Sequence, residues 1–179
     1  MTRLIFTESK GLQAEIRGLL SALLVAELLS PSRELWLISP WVSDIPVIDN
    51  RSDAFASLSE EWPTQEIGLA RVFVSLAERG TAVRLLTRPD AHNLRFIETT
   101  RARAQLRNVG ERFQAKTGQV LHEKGLLSSA WYVSGSMNFT RNGILILEEA
   151  LRFDSDPRVI GEARLAFMNR WTNPEYVAV

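Results

Sequence analysis

The residues best suited to chemistry lie in the stretch 120–149, where polar side chains interrupt two apolar segments. This stretch holds His122 and Lys124, the sequence Gly-Ser-Met-Asn at 135–138, and two acids at 148 and 149. A lysine ammonium and an asparagine amide can hold the non-bridging oxygens of a phosphate, while a neutral imidazole can attack phosphorus or move protons near neutral pH. The combination indicates a site for phosphate chemistry.

Alternation along a strand predicts how these side chains meet. Residues 121–124 have the character of a strand segment, and a strand sends alternate side chains to one face. His122 and Lys124 are therefore expected to project into the same pocket. The glycine before Ser136 permits a backbone bend, which lets Ser136 and Asn138 donate hydrogen bonds beside the histidine.

The two acids follow a second apolar segment, residues 144–147, which also predicts a strand. Burial of a carboxylate is costly unless it is paired, so either Glu148 or Glu149 is expected to meet a donor such as His122. Each piece has an ordinary alternative, because a lone histidine in a strand is more often structural and Gly-Ser-x-Asn is a common turn. The complete ordered set favours the functional interpretation.

The order and spacing of these residues resemble the HKD motif of the phospholipase D superfamily, in its small, single-motif, nuclease-like branch. The resemblance covers roughly the last third of the chain. The residues that carry it are His122, Lys124, Gly135, Ser136, Asn138, Thr140 and Glu149.

The resemblance implies a role for each polar side chain. His122 would be the nucleophile that forms a phosphohistidine, and Lys124 and Asn138 would bind phosphate oxygens. Ser136 would line the same site, and Glu149 would orient the imidazole. No metal and no other cofactor is implied.

The chain departs from the motif at one position. The motif's aspartate would fall at Ser129, so the chain has the histidine and the lysine but not the aspartate. In the family this aspartate is structural rather than chemical, lying across a turn from the reacting phosphate. The departure favours a second hypothesis, in which the protein binds phosphate or nucleic acid without cleaving it, as a subunit of a larger complex.

A single motif per chain also implies an assembly. Two HKD motifs face each other across a twofold axis in the superfamily, so this chain is expected to form a symmetric homodimer with one composite site. His122 of one subunit would attack phosphorus, and His122 of the other would protonate the leaving oxygen and later activate water.

A second resemblance concerns residues 39–51, SPWVSDIPVIDNR. They are similar to phospholipase D-like components of bacterial DNA-modification and restriction clusters, including the DpdK type. This resemblance implies a restriction or defence nuclease, with other defence-complex subunits as partners.

Composition indicates one globular domain over residues 1–179, with 45% hydrophobic and 23% charged residues. Cysteine is absent, which excludes a disulfide framework and a thiolate metal site. The apolar run 18–30 contains Glu27 and has helical spacing, so residues 8–29 predict an amphipathic helix rather than a signal peptide or a membrane span. We therefore expect a cytoplasmic protein.

The remaining elements predict an α/β fold with a mixed, largely parallel central sheet and helices on both faces. Strands are predicted at 34–42 and 82–87, and helices at 64–79 and from Asp90 or Asn93 to about 109. His92 is assigned to the connecting loop, and 43–63 to a long loop whose acids are solvated rather than metal-bound. A closing helix starts after Asp156, and the last residues, 173–179, are frayed or lie against a neighbour.

Charge is distributed unevenly, with ten basic and four acidic residues in 67–116. Arg101, Arg103 and Arg107 on the predicted helix are candidates for binding nucleic-acid phosphates, although a solvated helix face is the plain alternative. Few aromatic residues are available for base stacking, so sequence-specific reading of a single strand is not expected.

The leading hypothesis is a metal-independent phosphodiesterase that acts on DNA or RNA. A phospholipid phosphodiesterase is a further alternative, disfavoured because the sequence has no amphipathic membrane-binding segment beyond the helices needed for the core.

Overall fold

The computed structural model describes residues 2–6, 10–59, 61–145 and 149–179. Its strands are β1 (Thr2–Phe6), β2 (Glu34–Ile38), β3 (Pro46–Asp49), β4 (Glu66–Gly68), β5 (Ala82–Thr87), β6 (Phe113–Thr117), β7 (Gly125–Leu127), β8 (Tyr132–Gly135), β9 (Ala150–Asp154) and β10 (Val177–Ala178). Its α-helices are α1 (Lys10–Leu29), α2 (Leu69–Glu78), α3 (Ala91–Leu106), α4 (Arg141–Leu145) and α5 (Pro157–Thr172).

The main sheet has the strand order β1-β9-β8-β7-β2-β5-β6-β10. The ladders β2–β5 and β5–β6 are parallel, as expected for strands joined through the crossover helices α2 and α3. The ladders from β2 through β7, β8 and β9 to β1 are antiparallel. The predicted mixed α/β class is confirmed, but the sheet is largely antiparallel rather than largely parallel, because β7, β8 and β9 follow one another beside β2 as antiparallel strands.

Alternation along β2 divides the core into two layers. Leu35 and Leu37 join the larger cluster, which contains the apolar faces of α1, α2 and α3. Trp36 and Ile38 point to the other face and pack in a smaller cluster with Phe167 of α5. Helices therefore cover both faces of the sheet, as predicted. None of the helices in the described ranges is long and apolar enough to cross a membrane.

Three helix predictions agree with the structure. Within the described residues, α1 covers the helix predicted at 8–29, and α3 begins directly after Asp90. α5 begins after Asp156, whose carboxylate accepts a hydrogen bond from the backbone N–H of Arg158 at 2.8 Å. Asp156 is therefore the predicted N-cap.

The segment 43–68 is more ordered than predicted. β3 lies inside the predicted loop and pairs with β4, so the helix predicted from residue 64 begins only at Leu69. The start is set by Asp44, which accepts a hydrogen bond from the N–H of Ala70 at 2.9 Å. A Cβ at Gly68 would collide with this carboxylate, so the close approach requires glycine.

Two strand predictions near the motif are wrong. Residues 121–124 belong to no strand, and the strand β7 begins at Gly125. The strand predicted at 144–147 starts inside the short helix α4, and residues 146–148, including Glu148, lie outside the described part of the chain. The next strand along the chain is β9, from Ala150.

The ends of the chain extend the sheet. β1, which the sequence does not predict, pairs with β9. β10 pairs antiparallel with β6, so the prediction that residues 173–179 are frayed or lie against a neighbour is also wrong. This pairing satisfies backbone groups that an isolated tail would leave to water.

Candidate active site

The candidate residues lie where several strands enter or leave the sheet at one edge. β2 ends at Ile38, directly opposite Gly125, where the antiparallel β7 begins. The parallel β5 ends beside β2, at Thr87. β8 ends at Gly135, next to the start of β9 at Ala150. Chain segments that are distant in sequence therefore meet at this edge, which we call the polar edge.

Lys124 is the buried cation of the polar edge, with 9% of its surface exposed. Its Nζ donates to the carbonyl oxygen of His122 at 2.7 Å, which uses one of the three ammonium donors. Burial lowers the pKa of Lys124; the Glu149 carboxylate opposes this shift and the Arg88 guanidinium adds to it. A partly desolvated ammonium interacts strongly with an anionic ligand.

His122 differs from the lysine in being exposed. The backbone around it is held on both sides, because Arg88 Nε donates to the carbonyl of Leu121 at 2.9 Å and Lys124 donates to the carbonyl of His122 itself. The imidazole is therefore accessible to a ligand while its backbone is fixed.

Ser136 joins the end of β8 to the start of β9. Its backbone N–H donates to the carbonyl of Ala150 at 3.0 Å, and its hydroxyl oxygen accepts from the N–H of Ala150 at 3.0 Å. The same hydroxyl donates to Glu149 Oε2. This clamp positions the Glu149 carboxylate, which acts on Lys124. The predicted contact of Glu149 with the imidazole remains a prediction.

Asn138 is held through Phe139 and the end of β2. Val42 forms a parallel bridge with Phe139, and the N–H of Ser43 donates to the Phe139 carbonyl at 2.9 Å. The buried Ser39 hydroxyl accepts from the Phe139 N–H at 3.3 Å and lies 3.5 Å from Asn138 Oδ1. The amide oxygen thus faces the protein, leaving the amide nitrogen as the group for an anion.

The three candidate arginines, two on α3 and one directly after it, are engaged away from this group. Their partners are the carbonyl of Val179 for Arg101, Asp44 for Arg103 at 3.1 Å, and both Glu61 and Glu78 for Arg107. None of these contacts involves a residue of the polar edge. Binding of substrate by these arginines remains a prediction.

Ser129, at the position of the motif's aspartate, lies at the opposite edge of the sheet, in the turn between β7 and β8. Its hydroxyl is 2.5 Å from the Ser32 hydroxyl, which in turn donates to Glu27 of α1. Glu27 is buried, and burial raises its pKa. A carboxyl group from α1 is therefore two hydrogen bonds away from the motif's acidic position, remote from the polar edge.

The sequence analysis does not predict several polar residues of the polar edge. These residues follow the carboxyl ends of the parallel strands β2 and β5, and this position in an α/β sheet is typical of a ligand site. Ser39 and Arg88 are the clearest cases. His92, predicted in a loop, lies in the first turn of α3, with Nε2 2.8 Å from the Ser43 hydroxyl.

Within the described ranges, no group of three or more His, Cys, Asp or Glu side chains could hold a metal ion. The polar edge holds the Lys124 ammonium, the Ser136 hydroxyl and the Glu149 carboxylate, and Asn138 and the exposed His122 lie at the same end of the sheet. This set can bind a phosphate and offer it a nitrogen nucleophile. The predicted meeting of the imidazole and the ammonium in one pocket stays a prediction.

Solved structures share this fold over nearly the whole chain. Nuc from Salmonella typhimurium, a phospholipase D family member, has a TM-score of 0.64 at 10% identity, covering 100% of this chain and 97% of its own. NucT from Helicobacter pylori has a TM-score of 0.64 at 14% identity, covering 100% and 99%. Phosphatidylserine synthase from Haemophilus influenzae has a TM-score of 0.64 at 10% identity, covering 99% of this chain and 40% of its own.

At these identities the likeness defines the fold, which is that of phospholipase D-like proteins. Residues 28–171 match the family described as the cardiolipin synthase, PLD-like domain. The chain therefore belongs to this phospholipase D-like family, and the resemblance seen in the motif is confirmed. A comparison with curated proteins finds no match.

Proposed function

We propose that the protein is a metal-independent phosphodiesterase that cleaves nucleic acid through a phosphohistidine on His122. The observation that carries the proposal is an exposed histidine whose backbone carbonyl is bound by a buried ammonium. The charges of Glu149 and Arg88 both act on Lys124, and its Nζ contacts the backbone of His122. Membership in the phospholipase D-like family supports chemistry on a phosphodiester.

The reaction has two displacements at phosphorus. An imidazole nitrogen of His122 attacks, the bond to the leaving oxygen breaks, and that oxygen takes a proton from an acid. Water then displaces the histidine. In both steps Lys124 and the Asn138 amide stabilise the negative charge that develops on the phosphate oxygens.

The acid comes from a second copy of the chain in this proposal. The sequence contains His92 and His122 and no other histidine. A symmetric dimer would place two copies of His122 on opposite sides of one phosphate, so that one attacks while the other protonates the leaving oxygen.

Nucleic acid is the proposed substrate because residues 67–116 are strongly basic and because the segment 39–51 resembles components of DNA-modification and restriction clusters, including the DpdK type. We place the enzyme in the cytoplasm, in bacterial restriction or defence, with other complex subunits as potential partners.

The test is cleavage of end-labelled single- and double-stranded DNA and RNA in the presence of EDTA. The wild type should cleave at least one of them, and His122→Ala should reduce the rate by about 10³-fold or more. Arg158→Ala, an exposed change on α5, is the matched control and should leave the rate unchanged. Cleavage that EDTA abolishes, or that survives in His122→Ala, would contradict the proposal.

A phospholipid is the second candidate substrate. The family description as cardiolipin synthase and the shared fold with phosphatidylserine synthase favour it. Vesicles that contain phosphatidylglycerol and cardiolipin are the additional arm of the same assay, and lipid turnover that exceeds nucleic-acid cleavage would favour this substrate.

A binding subunit without catalysis is the third candidate, favoured by Ser129 at the motif's acidic position. It predicts that wild type and His122→Ala bind an oligonucleotide with equal affinity and that neither cleaves it.

A further inference from the structure

A recess of about 510 Å³ opens beside Asn138 at the polar edge. We call it the Trp41 recess. Trp41, Ser43, His92, Asn138 and Arg141 are among the residues that line it, and of the described lining residues none is acidic. Its volume lies in the range of small-molecule sites, and its wall combines an indole, an imidazole and polar donors. These features suit a flat, polar aromatic group.

Trp41 is exposed although its backbone is rigidly held. The residue is 38% exposed. The peptide that joins it to Val42 is held at both its polar groups, because the Ser39 hydroxyl donates to the Trp41 carbonyl at 2.6 Å and the Val42 N–H donates to Asn93 Oδ1 at 3.0 Å. The buried Asn93 amide also donates to the carbonyl of Pro40 at 2.8 Å. The held backbone keeps the exposed ring at the wall of the recess, where its face is available for stacking.

The recess is continuous with the phosphate-binding groups. The Ser39 hydroxyl that bonds the Trp41 carbonyl also lies 3.5 Å from Asn138 Oδ1, and Asn138 itself lines the recess. A group in the recess would therefore be a direct neighbour of a phosphate held by Asn138. In a nucleic-acid strand, the group next to a phosphate is a nucleoside.

The residues at the rim of the recess favour the binding of a negatively charged nucleic-acid strand. Arg141 is exposed there, and His92 is held through its Nε2 by the Ser43 hydroxyl at 2.8 Å. A base can lay its flat face on the Trp41 indole and turn its polar edge to the hydroxyl, amide and imidazole groups that also line the recess. An acyl chain would leave these groups without a hydrogen-bond partner, so a base is the better match.

We propose that the Trp41 recess binds one unpaired base next to the scissile phosphate, by stacking on the Trp41 indole. This proposal rests on the proposed function, since it assigns the substrate of that site as a strand with an unstacked base. One stacking platform accepts any base, because every base presents a π-face. The recess thus selects single-stranded or locally opened nucleic acid without reading its sequence.

The experiment measures binding without chemistry, in the His122→Ala background. The probes are a fluorescein-labelled five-residue oligothymidylate and a chain of the same length and charge that lacks bases. Affinities are compared for His122→Ala alone and combined with Trp41→Ala, Trp41→Phe or Leu165→Ala. Leu165, exposed on α5, provides the control for loss of a surface apolar side chain.

With Trp41 intact, the oligothymidylate should bind about 10-fold more tightly than the baseless chain. Trp41→Ala should remove this preference and leave the affinity for the baseless chain unchanged. Trp41→Phe should retain most of the preference, and Leu165→Ala all of it. A preference that survives Trp41→Ala, equal binding of the two probes, or no binding at all would overturn the proposal.

Three further outcomes can be distinguished from one another. If Trp41→Ala converts a dimer to monomers in light scattering, the ring is a contact with a second copy and the base-binding proposal fails. If the wild type cleaves nothing but binding still depends on a base, the phosphodiesterase proposal is refuted and the base-binding proposal stands. If cleavage does not depend on Trp41 or on a base, the base-binding proposal alone is refuted.

Discussion

Lys124 is the site residue whose charge should determine how activity depends on pH. Its ammonium is buried, and desolvation lowers its pKa, with the Glu149 carboxylate opposing and the Arg88 guanidinium reinforcing the shift. A lysine that binds phosphate must be protonated, so activity should fall as the pH rises through the lowered pKa. The alkaline limb of the pH profile for kcat/KM therefore reports this residue.

Arg88→Gln tests that assignment. Removal of the nearby positive charge raises the pKa of Lys124, so the alkaline limb of kcat/KM should move to higher pH. Arg112→Gln, an exposed arginine that bonds the Gly80 carbonyl at the far end of β5, should leave the limb in place. A limb that stays fixed or moves to lower pH in Arg88→Gln would contradict the role of Lys124.

A buried carboxyl group, that of Glu27, is linked by hydrogen bonds to the position of the missing motif aspartate. Glu27 bonds the Ser32 hydroxyl, and that hydroxyl contacts Ser129. Burial raises the pKa of Glu27 above its ordinary value. The folded protein therefore binds this proton more tightly than the unfolded chain does, and the free energy of unfolding falls as the pH rises through that range.

Glu27→Gln should remove the cost of burying a charged carboxylate, because the amide oxygen can still accept a hydrogen bond from Ser32 without carrying a charge. Urea unfolding should show the variant to be more stable than the wild type at pH 8, with a smaller advantage at pH 5. Glu175→Gln, near the carboxyl end, is the control. Lower stability of Glu27→Gln at pH 8 would show that the charged carboxylate is required for folding.

The motif could be predicted from the sequence because its order and spacing are local, whereas its neighbours could not. Ser39 and Arg88 follow two different strands, and they approach the motif only because β2 pairs with both β5 and β7. Trp41 reads as the end of an apolar strand. Its exposure results from the chain leaving the sheet after Ile38.

At the scale of elements, the junction of β8 and β9 determines the position of the Glu149 carboxylate. Gly135 is the last residue of β8, and a Cβ there would collide with the carbonyl oxygen of Ala150. The adjacent Ser136 makes three hydrogen bonds to residues 149 and 150. Glycine at 135 therefore permits the close approach that positions Glu149.

Gly135→Ala should lower the free energy of unfolding by about 1–3 kcal/mol, since the strands must separate to admit the methyl group. It should also reduce cleavage, because Glu149 shifts. Gly161→Ala, on α5, has no atom within 4 Å of the added Cβ and should instead stabilise by up to about 1 kcal/mol without loss of activity. Equal stability of the two variants would show that β8 and β9 accommodate the added methyl group.

Helices with long periodic patterns and the buried strands β2 and β5 were predicted, whereas several shorter strands were not. The helices α1, α3 and α5 follow from their periodicity and capping residues. β1, β4 and β10 span five residues or fewer and depend on partners distant in sequence. The segment 144–147 is apolar enough for either a strand or a helix, and its first residues are helical in α4.

At the scale of the molecule, the central claim requires two chains. One copy supplies the residues of the polar edge but a single His122, so the proposed acid and nucleophile lie in different subunits. A dimer with one composite site is inactivated when either subunit lacks His122. Two independent sites would each retain their own activity.

Mixing wild type with His122→Ala distinguishes these arrangements. After co-refolding of equal amounts, random pairing gives about a quarter of the dimers two intact histidines. The rate per total protein should thus fall to about a quarter of the wild-type value if the site is composite, with light scattering to establish the dimer. A fall to about half would indicate independent sites and contradict the composite site.

The most direct test is to trap the covalent intermediate. An oligonucleotide with a labelled scissile phosphate is mixed with the enzyme in EDTA, quenched within the first turnover in denaturing alkali, and the protein is digested with trypsin. A phosphohistidine intermediate predicts label on the peptide 117–124, whose one histidine is His122, and no label in His122→Ala. Cleavage without a covalent adduct, or label on the peptide that contains His92, would contradict it.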